Sequence, residues 1–292
     1  MDTTNNNYLI NSNNQADDHV RIGDALIAYA KLKEQDVERV LNLQKNKSIL
    51  FGDAAIELGL IKDSDLKKVL SKQFNYPYVH DGSQQLSKIL VAAHVPFSEE
   101  VEELRRLRSQ LLISWFDLGN KTLAVTSANT EDGASRVVAN LAIVFSQLNK
   151  KTLLIDANLR KSVQNKFFNL DTKLGLSNIL ANKQGSYELT RQPTFPNLSI
   201  LCAGTEVPNP QELLSQDGLA ELILNLEKIY DVILFDTSPI NLGSDALSIV
   251  SKAKGAIIVA RKNHTLGTEV QYLNKQLNLT GAKIIGCVIQ EF

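Results

Sequence analysis

Two aspartates stand where chemistry is expected. Asp156 closes the apolar run LLID (153–156), and Asp236 closes VILFD (232–236). A carboxylate at the end of a buried strand can hold Mg²⁺ or orient a nucleophile. A third stretch belongs with them: TSANTEDGASRVVANLA (126–142) runs from an apolar segment through a loop into a helical pattern. That is the context of a phosphate-binding loop. There, backbone N–H groups at a helix N-terminus close on phosphate oxygens, a Lys reaches the terminal phosphates, and a Ser or Thr hydroxyl holds Mg²⁺. Gly133 and Ser135 occupy their places in this pattern, whereas Ala134 stands at the lysine position and Glu131 where a glycine is usual. Ala134 removes a direct charge contact. Glu131 adds a negative charge near the expected phosphate and resists a positive φ. The candidate nucleotide contacts are therefore Gly133, Ala134, Ser135 and Arg136. The candidate metal ligands are Ser135, Asp156 and Asp236, and the candidate catalytic carboxylates are Asp156 and Asp236. The residues alone also leave open a strand-to-helix loop that no longer binds nucleotide.

These residues need elements to position them. Apolar, β-branched runs recur at 122–127, 152–156, 198–204, 231–236, 255–260 and 282–289, with helical patterns between most of them, among them 134–149, 211–229 and 267–278. Short buried strands alternating with helices predict an α/β fold, a parallel sheet flanked by helices, with ligands at the carboxyl ends of its strands. A helix is expected over 98–118, capped by Ser98. On it Glu102, Arg105 and Arg108 fall at i, i+3 and i+6 along one side. Such residues pair within the helix or with a neighbouring subunit. The stretch AGTEVPNPQELL (203–214) reads as an extended turn entering a helix.

The N-terminal part carries an internal repeat. Residues 21–44 lie over 50–73 without gaps, matching Gly23 with Gly52, Asp36 with Asp65, Val40 with Val69 and Gln44 with Gln73. Each copy reads as a short helix, a turn and a second helix. The expected organisation is a disordered tail (1–19), a helical tandem-repeat domain (20–79), a linker (80–97) and an α/β domain (98–292).

The 31 Lys and Arg against 32 Asp and Glu give a net charge of −1. This excludes a broadly basic nucleic-acid binder and an acidic disordered chain. Cys202 and Cys287 make no disulfide framework and read as small hydrophobes in a reducing compartment. No apolar run approaches the roughly 18–20 residues of a spanning helix, and the first residues lack the basic and apolar regions of a signal peptide. The expectation is a cytoplasmic protein with no direct membrane insertion.

Residues 98–292 resemble the cytoplasmic domain of bacterial tyrosine kinases (BY-kinases) of exopolysaccharide and capsule synthesis. The resemblance rests on Glu102, Arg105 and Arg108, the 126–135 loop, ANLA (139–142), LLIDANLR (153–160), GLSNIL (175–180), PNPQELL (208–214) and VILFDTSP (232–239). With its N-terminal domain the chain looks most like the exosortase-associated EpsG-type kinases. The resemblance implies a P-loop fold and an ATP·Mg²⁺-dependent protein-tyrosine autokinase. It also implies a membrane partner, a polysaccharide co-polymerase or chain-length determinant, that holds the protein at the inner membrane. Under it, Gly133 and Ser135 contact phosphates and Mg²⁺, Asp156 and Asp236 serve the metal site or act as base, and the Glu102/Arg105/Arg108 helix builds a homo-oligomer. The chain departs from the family at Ala134, Glu131 and Asn158, and it ends in IQEF without a tyrosine cluster, although Tyr230 and Tyr272 remain. Loss of a charge acting on the transferring phosphoryl group predicts weak or absent catalysis.

The repeat resembles the N-terminal domain of type II secretion and type IV pilus ATPases, some of which bind cyclic di-GMP through tandem 24-residue motifs. By that resemblance Arg21, Gly23, Gln44, Gly52 and Gln73 are candidate cyclic-dinucleotide contacts, while the second copy begins LFG and lacks the Arg. The alternative is a docking module whose repeat serves packing. Three functions stay open: an autokinase, a pseudokinase scaffold or regulator of the polysaccharide export complex, and a sensor of cyclic di-GMP.

Overall fold

The computed structural model describes residues 22–30, 32–63, 65, 66, 69, 77–79, 86–181 and 189–291, with 22, 23, 29 and 30 by backbone alone. The chain divides into two units, Met1–Tyr76 and Pro77–Phe292. The tail expected over 1–19 and part of the expected linker, 80–85, lie outside the described residues.

The first unit contains α1 (Ile22–Ala30), α2 (Glu34–Lys47) and α3 (Phe51–Glu57). Its core holds Leu26, Val40, Ala54, Ala55, Ile61 and Val69. Leu26 and Ala55 are equivalent in the repeat, as are Val40 and Val69, so each copy sends the same positions inward. The matched aspartates also do the same work. Asp36 Oδ2 accepts from Lys33 N at 3.4 Å, and Asp65 Oδ2 accepts from Lys62 N at 3.0 Å. Each satisfies an otherwise unpaired N–H at the start of a helix.

The second unit is built on a seven-stranded sheet. Its strands are β1 (Thr122–Ser127), β2 (Thr152–Asp156), β3 (Thr190–Gln192), β4 (Phe195–Leu201), β5 (Val232–Asp236), β6 (Gly255–Arg261) and β7 (Lys283–Gln290). The order is β3-β4-β2-β5-β1-β6-β7. All neighbours are parallel except β3 and β4. Period-2 alternation divides the strands between two cores. Leu123, Val125, Leu154, Leu234 and Val259 join the core on one face. Ala124, Leu153, Ile155, Phe235 and Ile258 join that on the other.

The segment ahead of the sheet is packed. Within the expected linker, α4 (Val91–His94) and its neighbours bury Leu86, Leu90, Ala92 and Ala93. The buried Asn140 amide fastens this stretch, accepting from Ala92 N at 2.9 Å and donating to Ile89 O at 3.0 Å. The apolar side chains of residues 86–97 thus have a core to enter. Next, α5 (Glu99–Ser114) starts at the expected cap, Ser98, and ends four residues before the expected limit. Trp115 leaves helical geometry there, and its indole N–H donates to Thr122 O at 2.8 Å.

On the sheet lie α6 (Ala134–Ser146), α7 (Gln164–Phe167), α8 (Leu176–Ala181), α9 (Pro210–Ser215), α10 (Asp217–Leu226), α11 (Asp245–Ala253) and α12 (Gly267–Asn278). The single helix expected over 211–229 is two, because Gln216 is extended at ψ 158° and interrupts the ladder. No helix among the described residues is long and apolar enough to cross a membrane.

Candidate active site

The order β2-β5-β1 brings three strand ends together, and their loops make the site. Asp156 and Asp236 are register partners at the ends of β2 and β5, both without solvent exposure. The loop leaving β1 closes on itself: Asp132 N donates to Asn129 O at 3.3 Å, and Asn129 N donates to Asp132 Oδ2 at 2.8 Å. Gly133, at φ 87°, then turns the chain into α6, a conformation that side chains resist. Glu131 is not among the residues of positive φ, so the loop closes without a glycine there. The fully buried Asp132 also accepts from Thr265 Oγ1 at 2.6 Å, which ties the loop to the segment between β6 and α12.

At the N-terminus of α6, Ser135 Oγ donates to Asp236 Oδ1 at 2.9 Å. Gln164 Nε2 donates to Asp236 Oδ2 at 2.7 Å and to Ser135 O at 3.0 Å. Asp156 accepts from the backbone N–H groups of Asn158, Val163 and Gln164 at 3.2, 3.2 and 3.1 Å, which clamps the loop after β2. Burial, and then repulsion from Asp236, nevertheless holds the Asp156 carboxyl well above the usual carboxylate range. Burial likewise pushes the Asp236 carboxyl up to about 6, against the hydrogen bonds from Gln164 and Ser135.

A cavity of about 370 Å³ opens above these groups, lined among others by Gly133, Ala134, Ser135, Asn158, Lys161 and Arg261. No cluster of three or more His, Cys, Asp or Glu that could hold a metal occurs among the described residues. The acids with Ser135 Oγ are instead a set that Mg²⁺ accepts when substrate phosphates complete its shell. Gln164 Oε1 is buried and accepts no hydrogen bond among the described residues, which leaves an oxygen for such an ion or its water. The donor set therefore fits a Mg²⁺–phosphate group on the Ser135 side and departs from the pattern at Ala134.

Gly133, Ala134, Ser135, Arg136, Asp156 and Asp236 are thus gathered at one place, with Arg136 ion-paired to Glu100 of α5. Asn158 Oδ1 is committed to its own turn, accepting from Lys161 N at 3.1 Å. Arg160 makes a two-point pair with the buried Asp245 at 2.6 and 3.0 Å. Ser177 Oγ donates to Thr205 O at 2.7 Å and Asn178 Nδ2 to Thr205 Oγ1 at 2.9 Å, so GLSNIL holds the start of the 203–214 stretch. On α5, Glu102 pairs with Arg105 within the helix, while Arg108 NH1 donates inward to Val144 O at 2.7 Å.

Of the candidate cyclic-dinucleotide residues, Arg21 and Gln73 lie outside the described residues. Gly23 lies in α1 and Gln44, half-buried, in α2. Gly52 is buried, and a Cβ there would meet Leu66 at 2.7 Å, so close packing accounts for this glycine.

Gln164, Asp132, Lys161 and Asp245 were not singled out from the sequence. The sole signal for Gln164 was its place eight residues after a strand-end aspartate.

A model of an AAA domain matches residues 120–281. A putative tyrosine-protein kinase, CapB of Staphylococcus aureus, is 33% identical over 196 residues, 67% of this chain and 86% of that relative. The crystal structure of the chimerical protein CapA2B2 superposes with a TM-score of 0.63 at 29% identity, over 76% of this chain and 97% of the other. The kinase domain of the Escherichia coli tyrosine kinase ETK superposes with a TM-score of 0.66 at 28% identity, over 69% and 79%.

Proposed function

The chain belongs to the bacterial tyrosine-protein kinase family, and on that premise we propose that it binds Mg·ATP at the loop 127–136 but transfers phosphate weakly or not at all. Its role is then chiefly that of a nucleotide-dependent regulator of a polysaccharide export machine. One observation carries this reading: Ser135 Oγ is bonded to Asp236 beside Asp156, while an alanine stands at the adjoining position 134. The metal half of the site is kept and the phosphate-facing charge is lost.

Bound Mg²⁺ would neutralise charge on the transferring phosphoryl group, with Ser135, Asp236 and Asp156 as the residues to hold it. With no cation beside them, burial favours the protonated acids, so binding of the ion and release of protons are linked. Asn158, its amide committed to a turn, supplies no second carboxylate. Tyr230 is buried and Tyr272 is exposed on α12.

We place the protein at the inner membrane through a co-polymerase partner, in an EpsG-type arrangement, with the helix of Glu102, Arg105 and Arg108 as its self-assembling surface and Glu102 as the exposed residue of the three. A cyclic di-GMP site on the first unit is a separate proposal that rests on the repeat and its spacing; the packing of Gly52 against Leu66 favours a docking role instead. Calorimetric titration of the full chain with Mg·ADP tests the nucleotide reading. Micromolar binding weakened by Ser135→Ala supports it, and no heat up to millimolar nucleotide overturns it.

A further inference from the structure

Position 134 lacks a cation, yet the cavity above it does not. Lys161 lines the cavity from the loop after β2, and Arg261 lines it from the end of β6. In the strand order these two loops flank the β1 loop from opposite sides. The metal-side acids, Asp156 and Asp236, lie on the β2–β5 side. A nucleotide whose Mg²⁺ and terminal phosphate sit over those acids therefore brings that phosphate toward Lys161 rather than Arg261.

The backbone that carries Lys161 is anchored at both ends. Asp156 receives Asn158 N before it and Val163 N and Gln164 N after it, and Asn158 Oδ1 receives Lys161 N itself. The side chain thus projects from a fixed turn. Its ammonium makes no ion pair among the described residues, so binding an anion breaks no existing bridge. Glu131 lines the same cavity and opposes an anion, which makes a compensating cation the more necessary.

We propose that Lys161 supplies, from the loop after β2, the positive charge toward the terminal phosphate of a nucleoside triphosphate that position 134 lacks. This rests on the nucleotide reading given above. Because Lys161 approaches from the side of the metal acids and not from the helix N-terminus, it serves binding of the terminal phosphate more than its transfer.

The test is calorimetric titration of the full chain and of Lys161→Gln with Mg·ATP and Mg·ADP, each with a melting curve. Loss of one charge-assisted contact weakens Mg·ATP binding about tenfold. Mg·ADP weakens less, and the melting temperature is unchanged because Lys161 is exposed. Adding Ala134→Lys to Lys161→Gln restores Mg·ATP affinity. Unchanged Mg·ATP affinity in Lys161→Gln, or an equal loss for both nucleotides, overturns the assignment while leaving the nucleotide reading intact. Absence of binding by the parent chain overturns both.

Discussion

Asp156 and Asp236 are register partners on adjacent parallel strands, fully buried, and both carboxyls are held above their ordinary range. Burial is the main cause for each. A cation bound between two such acids would relieve both their desolvation and their repulsion, and would displace the protons that burial favours.

The sign of the pH dependence follows. Below about pH 4 the folded and unfolded chains both hold the Asp236 proton, and burial carries no penalty. As pH rises through the ordinary carboxylate range toward about 6, the unfolded chain gives up its proton while the folded chain keeps it, and stability falls. Above that range the penalty is complete, on the order of 3 kcal/mol. Asp236→Asn removes it. The variant's melting temperature therefore exceeds that of the parent chain by a few degrees at pH 7.5, and the gap closes toward pH 4.5. Melting curves at the two pH values check this, and a gap that does not change with pH contradicts it.

Arg160 and Asp245 respond unequally to substitution. Asp245 has 1% of its side chain exposed and Arg160 has 32%. Arg160→Met leaves a buried carboxylate with Ser238 Oγ, at 3.3 Å, as its remaining side-chain donor among the described residues. This costs roughly 2–3 kcal/mol after allowance for the exposed side of the pair. Asp245→Asn leaves a guanidinium that water can reach and costs about 1 kcal/mol. Urea unfolding of the two variants reads the difference; equal losses would show that the pair is not buried as described.

The charged residues of α5 separate into two roles. Arg108 donates to Val144 O in the last turn of α6, where a cation also meets the negative end of the helix. Arg108→Ala lowers stability by about 1–2 kcal/mol. Glu102, half-exposed and paired within its own helix, contributes under about 0.5 kcal/mol to the monomer. Glu102→Gln therefore leaves the melting curve in place and shifts only the sedimentation profile, if α5 builds the oligomer. A Glu102→Gln melting temperature lowered as far as that of Arg108→Ala would contradict this division.

How much could be read beforehand depended on the range of the interactions. Six strands were legible because each is a short apolar run whose alternate residues enter two cores. β3 was not, since its three residues carry no pattern and pair only at an edge. Asp156, Asp236 and Ser135 were legible because strand ends and helix starts are local features. Gln164, Asp132 and Asp245 were not, because their partners lie 72, 133 and 85 residues away. Only the folded sheet brings those pairs together. The same limit hid the packing of 86–97, which follows from a buried Asn140 far along the chain.

The reading proposed above is of a site with Asp156, Asp236 and Ser135 placed to hold Mg²⁺ and with no cation at position 134 to promote transfer. The most direct measurement is incubation of the full chain with radiolabelled ATP and Mg²⁺, followed by detection of phosphotyrosine, beside Asp156→Asn and Ala134→Lys. The account predicts no labelling of the parent chain above the Asp156→Asn background, with labelling emerging in Ala134→Lys. Strong tyrosine labelling of the parent chain that Asp156→Asn abolishes would contradict it.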